Sequence, residues 1–176
     1  MKKMCIGIIL LVFGINSIAF AKIYDLSQIS QAKHVSEYSA DTTVDEMDTV
    51  TFGSYPQSDV SGNTKEPIEW IVLDRQGDKV LLLSKYVLNC KCFNVTGNIV
   101  NWNNCSLRNW LNSDFINNAF NKKEKMSIQS TRYSTQDLPN SVDGGVENTF
   151  DDIFLLSENE IFKYFGDPRG TRGFTT

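Results

Sequence analysis

Histidine is almost absent from this chain, whose 176 residues include only His34. His34 lies in a polar stretch near the amino terminus, and the chain has no other histidine that could activate a serine or cysteine nucleophile. A glycine-rich phosphate loop is also missing, because Gly144-Gly145 has neither the spacing nor the strand-to-helix context of one. The sequence therefore argues against histidine-dependent catalysis and against nucleotide binding, and we expect no catalytic residues.

Positive charge is in short supply, with 17 Lys and Arg against 21 Asp and Glu. Removal of residues 1–21, which contain Lys2 and Lys3, would make the chain more acidic still. Nucleic acids and anionic lipid surfaces are recognised through clusters of basic residues. We therefore expect neither of them to be a partner.

Cysteine is scarce, and after an amino-terminal Cys5 the chain has only Cys90, Cys92 and Cys105. A structural zinc site needs four ligands, and His34 is too distant in sequence to complete one, so we predict no metal and no cofactor. An odd number of cysteines leaves one over in any pairing. We favour a disulfide from Cys90 or Cys92 to Cys105 over three unbonded thiols.

The amino terminus, MKKMCIGIILLVFGINSIAFA, has two lysines, an apolar stretch and an Ala-x-Ala ending. This pattern is typical of a secretory signal peptide cleaved before Lys22, and it predicts a periplasmic, extracellular or cell-surface protein. The apolar run is short for a membrane span, so we expect no stable span after cleavage, although an uncleaved anchor is the alternative.

The rest of the chain is predicted to hold one domain. Residues 22–48 are polar and without a sustained period, as in a linker, while 49–167 carry the strand and helix signals. The tail 168–176 has neither signal and is expected to be unstructured. These patterns predict an α+β fold in which short helices pack on an antiparallel sheet.

The centre of that sheet is expected to be a hairpin. Residues 68–73 and 79–83 are almost continuously apolar and flank a loop at 74–78 that contains Gly77. A strand at 153–156 is predicted to join them, and helices at 106–120 and 157–165 to cover them. Asn121 with Glu124, and Ser157 with Glu160, match the capping-box pattern at a helix start.

The domain is organised around WNNCSLRNWLNSDFINNAF, residues 102–120. One regular helix would spread the apolar residues of this stretch around its circumference, so we expect two short helices, broken at 112–114, with Ser113 as the second N-cap. Trp102 could stack on a sugar ring, Arg108 could clamp a carboxylate, and Asn112 completes this candidate ligand-binding set. Core packing of Trp102 and a structural ion pair of Arg108 are the competing interpretations.

The segments FGSYPQ, PIEWIVLD, KVLLLSKYVLNC, WNNCSLRNWLNSDFINNAF and DDIFLLSENEIFKYF occur in this order. With them, roughly residues 48–167 resemble an uncharacterised bacterial family, domain of unknown function 6273. The resemblance implies a fold similar to the C-type lectin-like and formylglycine-generating-enzyme-like folds, usually exported and without an established activity. Family members continue beyond the equivalent of Phe165, so the resemblance also implies that this domain is truncated at its carboxyl terminus.

Two functions are compatible with these features. The first is an exported, non-catalytic module that binds an unidentified protein or glycan. The alternative is a truncated or decayed enzyme-like domain related to formylglycine-generating folds. In either case, absent closing strands would leave apolar strands uncovered, and such surfaces favour self-association.

Overall fold

The computed structural model describes residues 10–14, 31–37, 46–59, 61–76, 79–96, 98, 100–134, 148–156 and 158–165. The strands are β1 (Leu10–Gly14), β2 (Thr49–Tyr55), β3 (Glu66–Gln76), β4 (Lys79–Ser84), β5 (Thr131–Ser134), β6 (Asn148–Asp151) and β7 (Ile153–Phe154). The α-helices are α1 (Ser106–Trp110), α2 (Ile116–Ala119), α3 (Lys122–Ser127) and α4 (Glu158–Phe165), with a π-helical turn at Leu111–Phe115 and 3-10 turns at Val35–Glu37 and Trp102–Asn104.

The strands form a five-stranded sheet in the order β2-β3-β4-β1-β7 and a two-stranded sheet of β5 and β6. Every neighbouring pair is antiparallel. This arrangement confirms the predicted α+β architecture of antiparallel strands and short helices. It also places β7 in the main sheet, as predicted for 153–156, although β1 separates β7 from the hairpin.

The β3–β4 hairpin is longer than its apolar pattern predicted. Pairing continues from Trp70 opposite Ser84 to Gln76 opposite Lys79, so three residues of the predicted loop belong to the strand. The register shifts between Val72 and Asp74, and such a bulge accommodates an extra residue without ending the strand. Residues 74–76 are polar, so the sequence predicted a loop there. The strand nevertheless continues through them, beyond the bulge. Gly77 lies outside the described residues.

The predicted break at 112–114 is wrong, because the backbone stays helical from Ser106 to Ala119 through the π-helical turn. A π turn contains one more residue than an α turn, so it rotates the second half of the run relative to the first. Apolar residues of both halves then face the core without a break. Ser113 is not an N-cap; its hydroxyl donates to the Asn109 carbonyl at 2.5 Å. The buried residues of the run are Leu107, Leu111, Phe115, Ile116 and Ala119.

Aromatic rings join this helical run to β2. The Phe115 ring lies 4.9 Å from that of Tyr55, and the Phe120 ring lies 5.1 Å from that of Phe52, between centroids. Trp70 on β3 donates its indole N–H to the Phe52 carbonyl at 2.7 Å. The helical run is therefore fixed to one edge of the main sheet.

The predicted capping box at the start of α3 is confirmed. Asn121 accepts from the backbone N–H groups of Lys123 and Glu124, and the Glu124 carboxylate accepts from the Asn121 N–H at 2.6 Å. The second predicted box depends on Ser157, which lies outside the described residues, as does the predicted tail 168–176.

Two segments of the amino-terminal region contact the sheet. Leu10–Gly14, inside the predicted signal peptide, is β1, which lies between β4 and β7. Residues 31–37, inside the predicted linker, place Ala32 in the core, where its carbonyl accepts from the Arg75 guanidinium at 2.6 Å. This part of the predicted linker therefore packs against β3.

The hairpin is covered on both faces, and its most buried side chains are Ile68, Trp70, Ile71, Val72, Leu82 and Leu83. This differs from the expectation of an uncovered apolar face, because the successive residues Ile71 and Val72 point to opposite faces and both are buried. The edge of β4 is not open either, since β1 pairs with it. Within the part of the chain that the structure describes, no helix is both long and apolar enough to cross a membrane.

Candidate functional site

A buried carboxylate, Asp151, is the centre of the most extensive polar cluster among the described residues. It ends β6, where alternate residues are buried, so Thr149 and Asp151 both point inward. The Asp151 carboxylate accepts hydrogen bonds from the Trp102 indole at 2.8 Å, the Thr149 hydroxyl at 2.5 Å and the Arg108 Nε at 2.6 Å. Its side chain is fully buried, whereas that of Arg108 is 22% exposed.

Arg108 uses its remaining donors on the backbone. Its guanidinium donates to the Asn103 carbonyl at 3.2 Å and to the Phe150 carbonyl at 3.5 Å. The carboxylate that the sequence predicted Arg108 to clamp is thus present, but it belongs to Asp151 of the same chain. The geometry favours the structural ion pair over the ligand clamp.

Asn112 joins the helical run to the turn between β6 and β7. Its carbonyl oxygen accepts from the N–H groups of Asp152 at 2.8 Å and Ile153 at 3.0 Å. Its amide nitrogen donates to the carbonyls of Ile153 at 2.9 Å and Arg108 at 3.1 Å. Asn112 lies in the π-helical turn. Its side chain bonds to the Asp152 N–H, the Ile153 N–H and the Ile153 carbonyl, as the backbone of a neighbouring strand would.

The structure therefore brings Trp102, Arg108 and Asn112 together around residues 151–153. Their polar atoms are engaged within the chain, and the Trp102 ring is only 1% exposed, so it offers no face to a sugar. The cluster connects α1, the π-helical turn and β6. Its hydrogen bonds hold the helical run in place against residues 149–153.

Cys90, Cys92 and Cys105 differ in their environment. Cys105 is buried, and its sulfur accepts from the Arg108 N–H at 3.3 Å, so it caps α1; Cys90 and Cys92 are exposed. No disulfide joins any two of these three residues in the structure. Burial raises the pKa of the Cys105 thiol, which disfavours its reactive thiolate.

We expect iodoacetamide at pH 8 to modify reduced Cys90 and Cys92 at least about tenfold faster than Cys105, since the thiolate is the nucleophile and burial restricts access. Mass spectrometry of tryptic peptides at timed intervals would measure the three rates. In urea the difference should vanish, and equal rates in the folded protein would contradict the buried, cap-forming position. The same peptides from a sample without reductant would show whether the predicted disulfide joins Cys105 to Cys90 or Cys92.

A surface pocket of about 310 Å³ lies between β2 and the end of the helical run. Positive φ at Gly53 lets the strand bulge approach the Phe120 ring, and both residues line the pocket. Lys65 donates to the Asn118 carbonyl at 2.5 Å, which fixes one wall. The lining residues are Gly53, Ser54, Lys65, Asn117, Asn118, Ala119, Phe120, Asn121 and Glu124.

The lining of this pocket is polar and carries both signs of charge. Three asparagine residues line it, together with Lys65 and Glu124, which carry one charge each. The Asn117 carbonyl oxygen accepts from Lys125 at 2.7 Å, so that amide has a defined orientation. Sequence reasoning missed the pocket because strand, loop and helix residues distant in sequence build it. The density of asparagine between residues 112 and 121 was the available signal.

The described residues contain no group of three or more His, Cys, Asp and Glu side chains that could hold a metal ion. His34, the sole imidazole of the chain, lies beside Glu37, with 3.8 Å between Nε2 and Oε1. It is therefore engaged in the local 3-10 turn of the predicted linker.

Comparison with known proteins identifies a family. A family described as Domain of unknown function (DUF6273) matches residues 77–174, which is more than half of the chain. The match begins later than the predicted limits of 48–167 and extends further, and it includes the Asp151 cluster and the helical wall of the pocket. No curated protein and no solved structure matches the chain. The chain belongs to the DUF6273 family.

Proposed function

We propose that this chain is an exported bacterial binding module with a C-type lectin-like fold, and that it binds a glycan without catalysing a reaction. The pocket between Gly53 and Asn121, with three asparagine residues in its lining, is the observation that carries this proposal. Its volume of about 310 Å³ lies at the lower end of small-molecule sites and suits one or two sugar units.

The chemistry of the lining supports a saccharide. A carboxamide donates and accepts hydrogen bonds, and a sugar hydroxyl also does both, so amides pair with hydroxyls in either direction. Lys65 and Glu124 carry opposite charges, so the pocket has no strong preference for an anion or a cation. A neutral ligand rich in hydroxyl groups therefore fits better than a phosphate or a charged peptide.

The Asp151 cluster supports a binding role rather than a catalytic one. A general acid or base must reach a substrate proton, but the Asp151 carboxylate is buried and accepts three hydrogen bonds from its own chain. The Cys105 sulfur is likewise engaged as a helix cap. Both groups therefore stabilise α1, which begins the helical run that lines the pocket.

The amino-terminal pattern supports export to the periplasm or cell surface. Its lysines, apolar stretch and Ala19-Phe20-Ala21 ending predict a mature chain that begins at Lys22. Mass spectrometry of the protein from its native host would test this, and a chain that keeps Met1 in the membrane fraction would contradict it.

A glycan array probed with the purified protein, followed by calorimetry on the best ligand, tests the pocket. Asn118→Ala should weaken binding by about tenfold, or about 1.4 kcal/mol, because it removes the carboxamide of a lining residue, a group that both donates and accepts hydrogen bonds. Asn109→Ala is the matched control, since Asn109 is an exposed helical asparagine outside the pocket, and it should leave affinity unchanged.

Two results would overturn the glycan proposal. One is equal affinity of Asn118→Ala and the unaltered protein for the selected glycan. The other is an array on which no glycan binds while a parallel peptide array gives specific binding.

A further inference from the structure

The strand β4 has the properties of a central strand. Its sequence KVLLLS carries one charge, at Lys79, and Val80, Leu82 and Leu83 are all buried. Edge strands in soluble proteins are protected by inward charges, prolines or bulges, because unpaired backbone groups recruit other strands. On the side facing away from β3, no such protection is present in β4. The strand therefore requires a neighbour there.

That neighbour is β1, which also holds β7 in the sheet. β1 pairs with β4 over five residues, from Leu10 opposite Leu83 to Gly14 opposite Lys79. On its other side, β1 pairs with Ile153 and Phe154 of β7. In the order of the described strands, β1 is the one that connects β7 to β4.

The position of β1 in the sequence conflicts with its position in the fold. Leu10–Gly14 lies inside the segment 1–21 that the sequence predicts to be removed on export. Its removal would leave a slot one strand wide, with β4 and β7 as parallel walls. Both walls would then present unpaired backbone N–H and C=O groups.

We propose that the slot between β4 and β7 is a strand-acceptor site. The amino-terminal segment occupies it in the full chain, and after cleavage the slot takes an extended apolar segment supplied in trans. The occupant runs antiparallel to both walls, as β1 does, and main-chain hydrogen bonds supply most of its affinity. Occupancy after cleavage rests on the proposed export, whereas the slot itself does not.

The chemistry of the occupant follows from the walls. Val80, Leu82, Ile153 and Phe154 are buried, so the side chains of the occupant that lie directly opposite them must be apolar as well. The five pairs with β4 set the length of the segment at about five residues. A polar segment would bury its side chains against apolar ones without hydrogen-bond partners. A segment with proline would lack a backbone N–H and leave a carbonyl of the slot unpaired.

The full-length chain with Val12→Pro tests the site by opening the slot while retaining the segment. Proline has no N–H and cannot stay in a central strand, so pairing of β1 should fail on both sides. Hydrogen-exchange mass spectrometry should show protection of residues 79–84 and 153–154 falling by at least about tenfold. Val12→Thr, which keeps a β-branched side chain and the N–H, should retain protection.

Rescue in trans is the decisive step. The probe is a peptide with the sequence of residues 9–15, flanked by lysines for solubility, and a scrambled version is its control. Added to the Val12→Pro chain, the probe should restore protection of both walls saturably, and the scrambled peptide should not. Gly14→Pro, which disturbs only the last pair, is the milder variant if Val12→Pro does not fold.

Two outcomes overturn the proposal. If Val12→Pro retains full protection of β4 and β7, the amino-terminal segment does not hold the slot. If protection is lost in the proline variant that folds and the probe does not restore it, the slot accepts no strand in trans. Rescue together with a host protein that retains Met1 would support the slot and refute the export proposal.

Discussion

Replacing Asp151 by alanine is expected to destabilise the domain by about 3–5 kcal/mol, the usual cost of removing one partner of a buried ion pair. The loss leaves the Trp102 indole and the Thr149 hydroxyl without their acceptor, and it removes the carboxylate that pairs with Arg108. Many domains have a total stability of only 5–15 kcal/mol, so this variant would lie close to the limit of folding. Urea unfolding followed by circular dichroism measures the effect.

Two further variants separate burial from charge at this position. Asp152→Ala alters the adjacent carboxylate, which is only partly buried, and should change stability by no more than about 0.5 kcal/mol. Asp151→Asn keeps an oxygen acceptor for Trp102 and Thr149 and should lose less than Asp151→Ala. Similar losses for Asp151→Ala and Asp152→Ala would contradict the central position of Asp151 in the cluster.

The local features of the fold could be predicted because their signals are local. The β3–β4 hairpin follows from two apolar runs with turn residues between them, and the start of α3 follows from Asn121 and Glu124 three residues apart. Each depends on residues within a few positions of one another. Sequence patterns report such features directly.

The missed features depend on distant partners. The helix continues through Asn112 because that side chain bonds to the backbone of residues 152–153, some forty positions away. The strand Leu10–Gly14 was predicted only as a signal peptide, because an apolar run has the same composition in a leader and in a buried strand. Tertiary contacts decide both cases, and a single sequence does not display them.

The candidate site shows the same division. Trp102, Arg108 and Asn112 were selected for their chemical types, and they do lie together. Their partner Asp151 was not selected, because its role as an acceptor depends on residues more than forty positions away in the chain. A side chain able to bind a ligand is equally able to bind its own chain, and the three-dimensional arrangement determines which occurs.

Gly53→Ala is expected to cost about 2–5 kcal/mol, as the sum of two effects. The first is backbone strain, because φ at Gly53 is +72° and an alanine there costs about 1–2 kcal/mol. The second is overpacking, typically about 1–3 kcal/mol, because a Cβ would lie 2.5 Å from Phe120 Cε1 and 2.9 Å from the Ala119 carbonyl oxygen.

Gly62→Ala separates these two effects. Gly62 has the same φ of +72°, but a Cβ there would have no atom within 4 Å, so its substitution should cost only the backbone term. The difference between the two variants in urea unfolding therefore measures the contact with Phe120, and equal losses would contradict that contact. Because Gly53 and Phe120 both line the pocket, the displaced ring should also weaken binding of any glycan selected on the array, whereas Gly62→Ala should not.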